Sequence, residues 1–145
     1  MNPQQKTEKK TSRRRRAREC TVQALYSWFV SKNSPESIEL DLVTNDETKG
    51  ADVAYFRKLF NGTVNNLENL EQEYASFLDR KIEELGTIER AILDCATFEL
   101  KYVDDIPYKV VINEAIEVAK TFGAADSHKY INSILDKLAP KFGLK

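Results

Sequence analysis

Five arginines within six positions, Arg13, Arg14, Arg15, Arg16 and Arg18, are the strongest chemical feature of this chain. Guanidinium forks match the geometry of phosphate and carboxylate oxygens, so such a run points to an anionic partner. It begins where a helical apolar face begins: Ala17, Cys20, Thr21, Ala24, Leu25 and Trp28 recur at three- and four-residue steps. Like charges on one helical turn repel, and the macrodipole disfavours cations at a helix start. A sequence that carries both costs points to nucleic acid. The alternatives are an ordinary solvated helix start and an acidic protein partner. RNA fits better than duplex DNA, because the basic charge lies on an arm and a helix start rather than on a base-reading helix. Arginine-rich arms suit single-stranded or looped RNA, whose bases can stack on aromatic rings. Tyr26, Phe122 and Tyr130 are candidates for stacking, and each is equally a candidate for a structural role.

Enzyme chemistry has little to work with. There is no G-x-G-x-x-G, no Walker loop and no H-E-x-x-H. The single histidine, His128, cannot make a two-histidine metal site, and it reads as a solvated side chain in the first turn of the last helix. Glu83-Glu84 and Asp104-Asp105 are adjacent pairs, and neighbours on a helix diverge by about 100°, so neither is a ready acid/base pair. Cys20 and Cys95 form no CxxC motif and read as buried free thiols in a reducing cytoplasm. No cofactor or metal is expected.

The elements that must position these residues are all helical. Residues 1–12 are polar and charged and read as a disordered basic arm, with residues 13–145 forming one helical domain. Helical patterns run from about Arg13 to Lys32, from Ser34-Pro35 through Leu42, from Asp52 through Leu67, and onward to Leu85-Gly86. From Thr87 to Tyr102 the chain is apolar except for a narrow stripe of Arg90, Asp94, Thr97 and Lys101, flanked by Glu89 and Glu99. Such a helix belongs in the middle of a bundle. Two more helices follow, one ending at Gly123 as a C′ residue, the next capped by Asp126 or Ser127. No segment alternates with period two long enough to compete as a strand.

Charge is segregated along the chain. Of 145 residues, the first 18 hold eight basic side chains and one acid, while the remaining 127 hold 14 basic and 22 acidic. The net charge of −1 therefore conceals a basic arm on an acidic body. No run approaches the roughly 18 apolar residues of a bilayer-spanning helix, and no apolar stretch follows the basic start as a secretory signal requires.

Three segments carry a resemblance. Arg14-Arg15-Arg16-Ala17-Arg18-Glu19-Cys20, followed by Gln23 to Trp28, resembles the opening of the NusB family. Ile106 to Lys120 resembles its P-x-x-V-A-I-N-E-A-[IV]-E-[LV]-A-K helix. Phe122-Gly123, Asp126 to Asn132 and Leu135-Asp136-Lys137 resemble its F-G…D-S-x-K-[FY]-[VI]-N-G-[VI]-L-D-K ending. The match covers roughly residues 13–140. Val111 stands where the family usually has Ala, Ser133 where it has Gly, and Ala125 where an acidic residue is common.

The resemblance implies an all-α NusB-like fold of about seven helices in two perpendicular three-helix bundles, without catalytic activity. It implies a cytoplasmic bacterial factor that binds single-stranded boxA RNA of nascent ribosomal transcripts together with NusE, a small-subunit ribosomal protein, within the RNA polymerase antitermination complex. The expected RNA surface comprises Arg13, Arg14, Arg15, Arg16 and Arg18, with Tyr26 and Phe122, and the start of the last helix at Asp126, Ser127, Lys129 and Tyr130. The NusE side is expected around Glu83, Glu84, Glu89, Arg90 and Asp94. An acidic body suits a basic ribosomal protein on electrostatic grounds alone. The sequence leaves monomer and homodimer open for the free state. The runner-up is a stand-alone NusB-like RNA-binding module related to the N-terminal domain of a ribosomal RNA methyltransferase; the enzyme itself would need a cofactor domain of a few hundred residues. A third reading, a small helical hydrolase, would need a perturbed acid/base group in a pocket.

Overall fold

The computed structural model describes the backbone of residues 3–144 and the side chains of residues 12–144. Seven α-helices and no strand occur among the described residues: α1 (Pro3–Ser31), α2 (Pro35–Thr44), α3 (Val53–Asn65), α4 (Leu67–Ala75), α5 (Thr87–Tyr102), α6 (Tyr108–Phe122) and α7 (Ser127–Lys141). A single 3-10 turn, Ile82–Glu84, precedes α5. Helical backbone thus begins at Pro3, upstream of Arg13, where the sequence suggested a disordered arm. Proline is preorganised for a first helical position, and the Gln, Lys and Glu residues after it are good helix formers. Met1 and Asn2 lie outside the described residues.

Local signals set several boundaries. The Ser34 hydroxyl accepts from Ser37 N–H at 3.2 Å and caps α2, with Pro35 at its first position. The Asp52 carboxylate accepts from Tyr55 N–H at 3.0 Å and caps α3. Asp52 N–H in turn donates to the Arg13 carbonyl at 3.0 Å, which ties the arginine segment to the start of α3. The long fourth pattern resolves into α4, a loop and the 3-10 turn rather than one helix.

Helix α5 lies at the centre. Every residue from Ala91 to Leu100 is buried, and α1, α3, α4, α6 and α7 all pack on it. It belongs to both helix triplets of the fold, α1–α3–α5 and α5–α6–α7. The α3–α5 contact depends on Gly62, where an added Cβ would overlap the Phe98 ring. Gly123 serves a similar purpose between α6 and α7. Its φ of −87° is ordinary, not the left-handed C′ geometry expected from sequence, but a Cβ there would lie 2.8 Å from the Ala119 carbonyl and 2.9 Å from Ser127 Cβ. Close approach, not left-handed backbone, selects glycine at this corner.

The polar stripe expected along α5 is a buried network instead. Asp94, Thr97 and Glu99 are all buried, because α5 is covered on every side. Most of their polar atoms are paired from within: Tyr74 OH donates to Asp94 Oδ1 at 2.7 Å, Thr97 donates to the Leu93 carbonyl at 2.7 Å, and Glu99 accepts from Arg18 and Tyr55, while Asp94 Oδ2 is buried with no partner among the described residues.

Candidate nucleic-acid interface

A helix turns about 100° per residue, so five arginines in six positions cannot all face outward. The structure sorts them. Arg13 is exposed. Arg14 lies with its guanidinium carbon 4.5 Å above the centre of the Tyr55 ring, and its Nε is buried without a hydrogen-bond partner among the described residues. Arg15 donates to Glu114 of α6 at 2.8 Å while its side chain remains 44% exposed. Arg16 donates to the Glu19 carboxylate at 3.0 Å and to the Glu47 carbonyl at 2.7 Å.

Arg18 is a correction to the expected RNA surface. Only 4% exposed, it donates twice to Glu99, at 2.8 Å each, and Tyr55 OH donates to the same carboxylate at 2.6 Å. Burial opposes the Arg18 charge, but the Glu99 hydrogen bonds and charge outweigh it and raise the guanidinium pKa. Burial and the Glu99 charge likewise raise the Tyr55 phenol. Arg18 fastens α1 to α5; it does not reach solvent.

From Arg16 the same face of α1 continues, at helical spacing, to Gln23, Tyr26 and Ser27. These three help line a groove of about 420 Å³ that also includes Asp41, Glu47 and Phe122. A second depression of about 280 Å³ is lined by Tyr26 and Phe122 again, with Thr87, Glu89 and Ser127. The two aromatic rings are therefore common to both hollows. They join the arginine end of α1 to the start of α7, two segments more than 100 residues apart in sequence.

At the start of α7 the structure places the expected residues differently. Asp126 occupies the cap position, but its side chain makes no cap hydrogen bond, and it sits 3.7 Å from Lys129 in open solvent. Ser127 is buried against Gly123, which leaves Lys129 as the exposed cation of this turn. Tyr130 OH donates to Asp79 at 2.9 Å, and the Arg80 guanidinium lies 4.7 Å from the ring centre. Arg80, and next Tyr130, hydrogen-bond Asp79 and lower its pKa to about 2. Arg80 was not legible as a site residue: it stands in the short Asp79-Arg80-Lys81 loop with no periodic pattern around it. Gln23, Asp41 and Glu47 were also missed, since their shared groove forms only when α1 and α2 pack.

The expected partner residues divide as well. Glu83 and Glu84 are exposed on the 3-10 turn and Glu89 is half-buried beside them. Arg90 is largely engaged: it donates twice to Glu71, at 2.6 and 2.9 Å, and lies 4.4 Å over Phe29. Asp94 is 0% exposed and cannot meet a partner, so it too leaves the surface. Burial, then the Glu71 charge, pushes its carboxyl well above the ordinary range. Among the described residues no three His, Cys, Asp or Glu side chains are grouped to hold a metal ion, and no helix is long and apolar enough to cross a membrane.

Comparison with known proteins agrees with this architecture. Residues 15–140 match the NusB family. The transcription antitermination protein NusB of Actinobacillus succinogenes is 63% identical over 137 residues, covering 94% of this chain and 96% of that protein. Its Pasteurella multocida counterpart is 58% identical over 142 residues, covering 98% and 99%. Among solved structures, T. maritima NusB superposes with a TM-score of 0.76 at 30% identity, over 88% of this chain and 90% of the other. A complex of the antitermination factors NusB and NusE with double-stranded RNA shares the fold, with a TM-score of 0.79 at 22% identity over 88% and 96%. With residues 15–140 matching the family and relatives of 63% and 58% identity over nearly its whole length, the chain belongs to the NusB family.

Proposed function

We propose that this protein is a bacterial, cytoplasmic transcription antitermination factor. It binds the boxA element of nascent ribosomal RNA as a single strand, together with NusE, and acts in the RNA polymerase antitermination complex. The relatives at 63% and 58% identity are named for antitermination, and a NusB of the same fold has been solved with NusE and RNA. The observation that carries the reading is the shared position of Tyr26 and Phe122 on both hollows between the arginines and α7.

The chemistry divides by position. Arg13, Arg15 and Arg16, with Arg14 beside them, offer forks to phosphates at one rim, and Lys129 offers a charge at the other. Asp41 and Glu47 inside the groove repel phosphate but can accept hydrogen bonds from base amino groups, so bases turn inward and stack on Tyr26 and Phe122. Glu83, Glu84 and Glu89 form an acidic edge for the basic partner.

The test is fluorescence anisotropy with a labelled single-stranded boxA RNA, its duplex and a scrambled strand, each with and without NusE. The boxA strand should bind best and bind tighter with NusE. Because coupling is reciprocal, saturating boxA should tighten NusE by the same factor. Equal binding of boxA and scrambled strands, or no effect of NusE, would overturn the reading.

A further inference from the structure

We infer that Arg80, stacked on Tyr130, is a further RNA-phosphate contact of this protein, and that Asp79 holds the place of that phosphate in the free state. The inference rests on the RNA-binding reading above and extends the interface to a loop that neither basic segment of the sequence includes.

Arg80 lies between α4 and the 3-10 turn. Its Nε and Nη2 donate to the two oxygens of Asp79 at 2.7 and 3.1 Å, and Tyr130 OH donates to the first of these at 2.9 Å. A carboxylate gripped by both nitrogens shows the fork already set in the geometry a phosphate takes. The Tyr130 ring, 4.7 Å beneath, fixes the plane of that fork. Both members of the ion pair are open to solvent, with 39% and 65% of their side chains exposed. Exposed pairs of this kind are weak, and a phosphate that also releases counterions can displace the carboxylate.

Position supports the same conclusion. Tyr130 lies one helical turn beyond Ser127, which lines the second depression with Tyr26 and Phe122. Glu89 lines the same depression and adds, after Asp79 and Tyr130, to the negative field that raises the Arg80 pKa. The fork therefore sits about one helical turn of α7 from the hollow, with the acidic Glu83-Glu84 edge next along the chain. A purely structural Arg80 would pin its loop to α7 and have no bearing on salt dependence.

The experiment is a salt titration of single-stranded boxA RNA binding by wild type, Arg80→Ala, Arg80→Lys, Asp79→Asn and the Asp79→Asn/Arg80→Ala pair, with thermal melting to confirm folding. Arg80→Ala should weaken binding and flatten the log–log slope by about 0.7, one phosphate on a single strand. Arg80→Lys should keep the slope but bind more weakly, since a point charge lacks the fork. Asp79→Asn should tighten binding by roughly 2- to 5-fold, the worth of an exposed pair. That gain should vanish when Arg80 is already Ala. Wild-type affinity and slope in Arg80→Ala would overturn the inference while leaving the RNA-binding reading intact. An Asp79→Asn gain that persists without Arg80 would reduce Asp79 to a repelling charge and overturn the displacement. Failure of wild type to bind the strand at all would remove both.

Discussion

Arg18 and Glu99 face each other inside the core with two parallel 2.8 Å hydrogen bonds, joining helices whose sequence positions differ by 81. The pair takes one arginine out of a five-arginine run and uses it to hold α1 at a fixed rotation on α5. That rotation sends Gln23 and Tyr26 into the groove, Arg16 to the carbonyl of the groove residue Glu47, and Arg15 towards Glu114. Tyr55 completes the arrangement, donating to Glu99 and lying beneath the Arg14 and Arg18 guanidinium groups.

Arg18→Ala leaves Glu99 buried and short of its counter-charge. Breaking one side of such a pair costs about 3–5 kcal/mol. For a chain of this size that lowers Tm by roughly 10 °C. The folded fraction should keep the wild-type salt slope for RNA, because Arg18 does not face it. Urea denaturation and a salt titration check the two halves, and a flattened slope with wild-type stability would contradict both.

Arg13 is exposed, and Arg16, partly exposed, is held by Glu19 and the Glu47 carbonyl at the surface rather than in the core. The Arg13→Ala/Arg16→Ala variant should flatten the log–log salt slope by about 1.4, two phosphates at 0.7 each. Its stability should change by less than about 1 kcal/mol, the range of exposed pairs. A titration with an unaltered slope would mean that these arginines form only a solvated helix face.

Asp126 makes no cap hydrogen bond, so it lacks the roughly 1 kcal/mol expected of a capping residue. Asp126→Asn and Asp126→Ala should therefore be equally stable to within about 0.5 kcal/mol. Both should bind RNA more tightly, having lost a negative charge beside Lys129. Chemical denaturation with RNA anisotropy decides this; a clear loss of stability in Asp126→Ala alone would restore the capping role.

Asp94 makes stability depend on pH in a direction opposite to most carboxylates. Burial, then the negative charge of Glu71, raises its pKa in the folded state, against the opposing pull of Tyr74 and Arg90. The folded protein then binds more protons than the unfolded chain, so this contribution is full below the ordinary value of 3.8 and is lost as pH rises through the folded pKa. Asp94→Asn keeps an acceptor for Tyr74 and does not titrate. Its stability relative to wild type should improve steadily from pH 4 towards neutrality. A difference that stays constant with pH would rule out the raised pKa.

Much of this was legible in the residues alone. Periodic apolar positions announced the helices, Ser34-Pro35 announced the start of α2, and the arginine run with the two C-terminal motifs announced the family. These are short-range signals, carried by neighbours three or four positions apart, and they survive any packing. Which arginine turns inward is a different kind of question. Arg18 and Arg15 are the same residue type on the same helix, and one meets Glu99 in the core while the other meets Glu114 at its edge. Asp94 and Glu89 likewise share α5, but one is sealed beneath Tyr74 and the other lines a surface hollow. Burial of a charge depends on what a distant helix places over it. Partners such as Glu99 for Arg18, or Tyr130 for Arg80, lie 81 and 50 positions away and leave no local trace. The choice between core and surface was therefore made only when α1, α4 and α7 closed around α5.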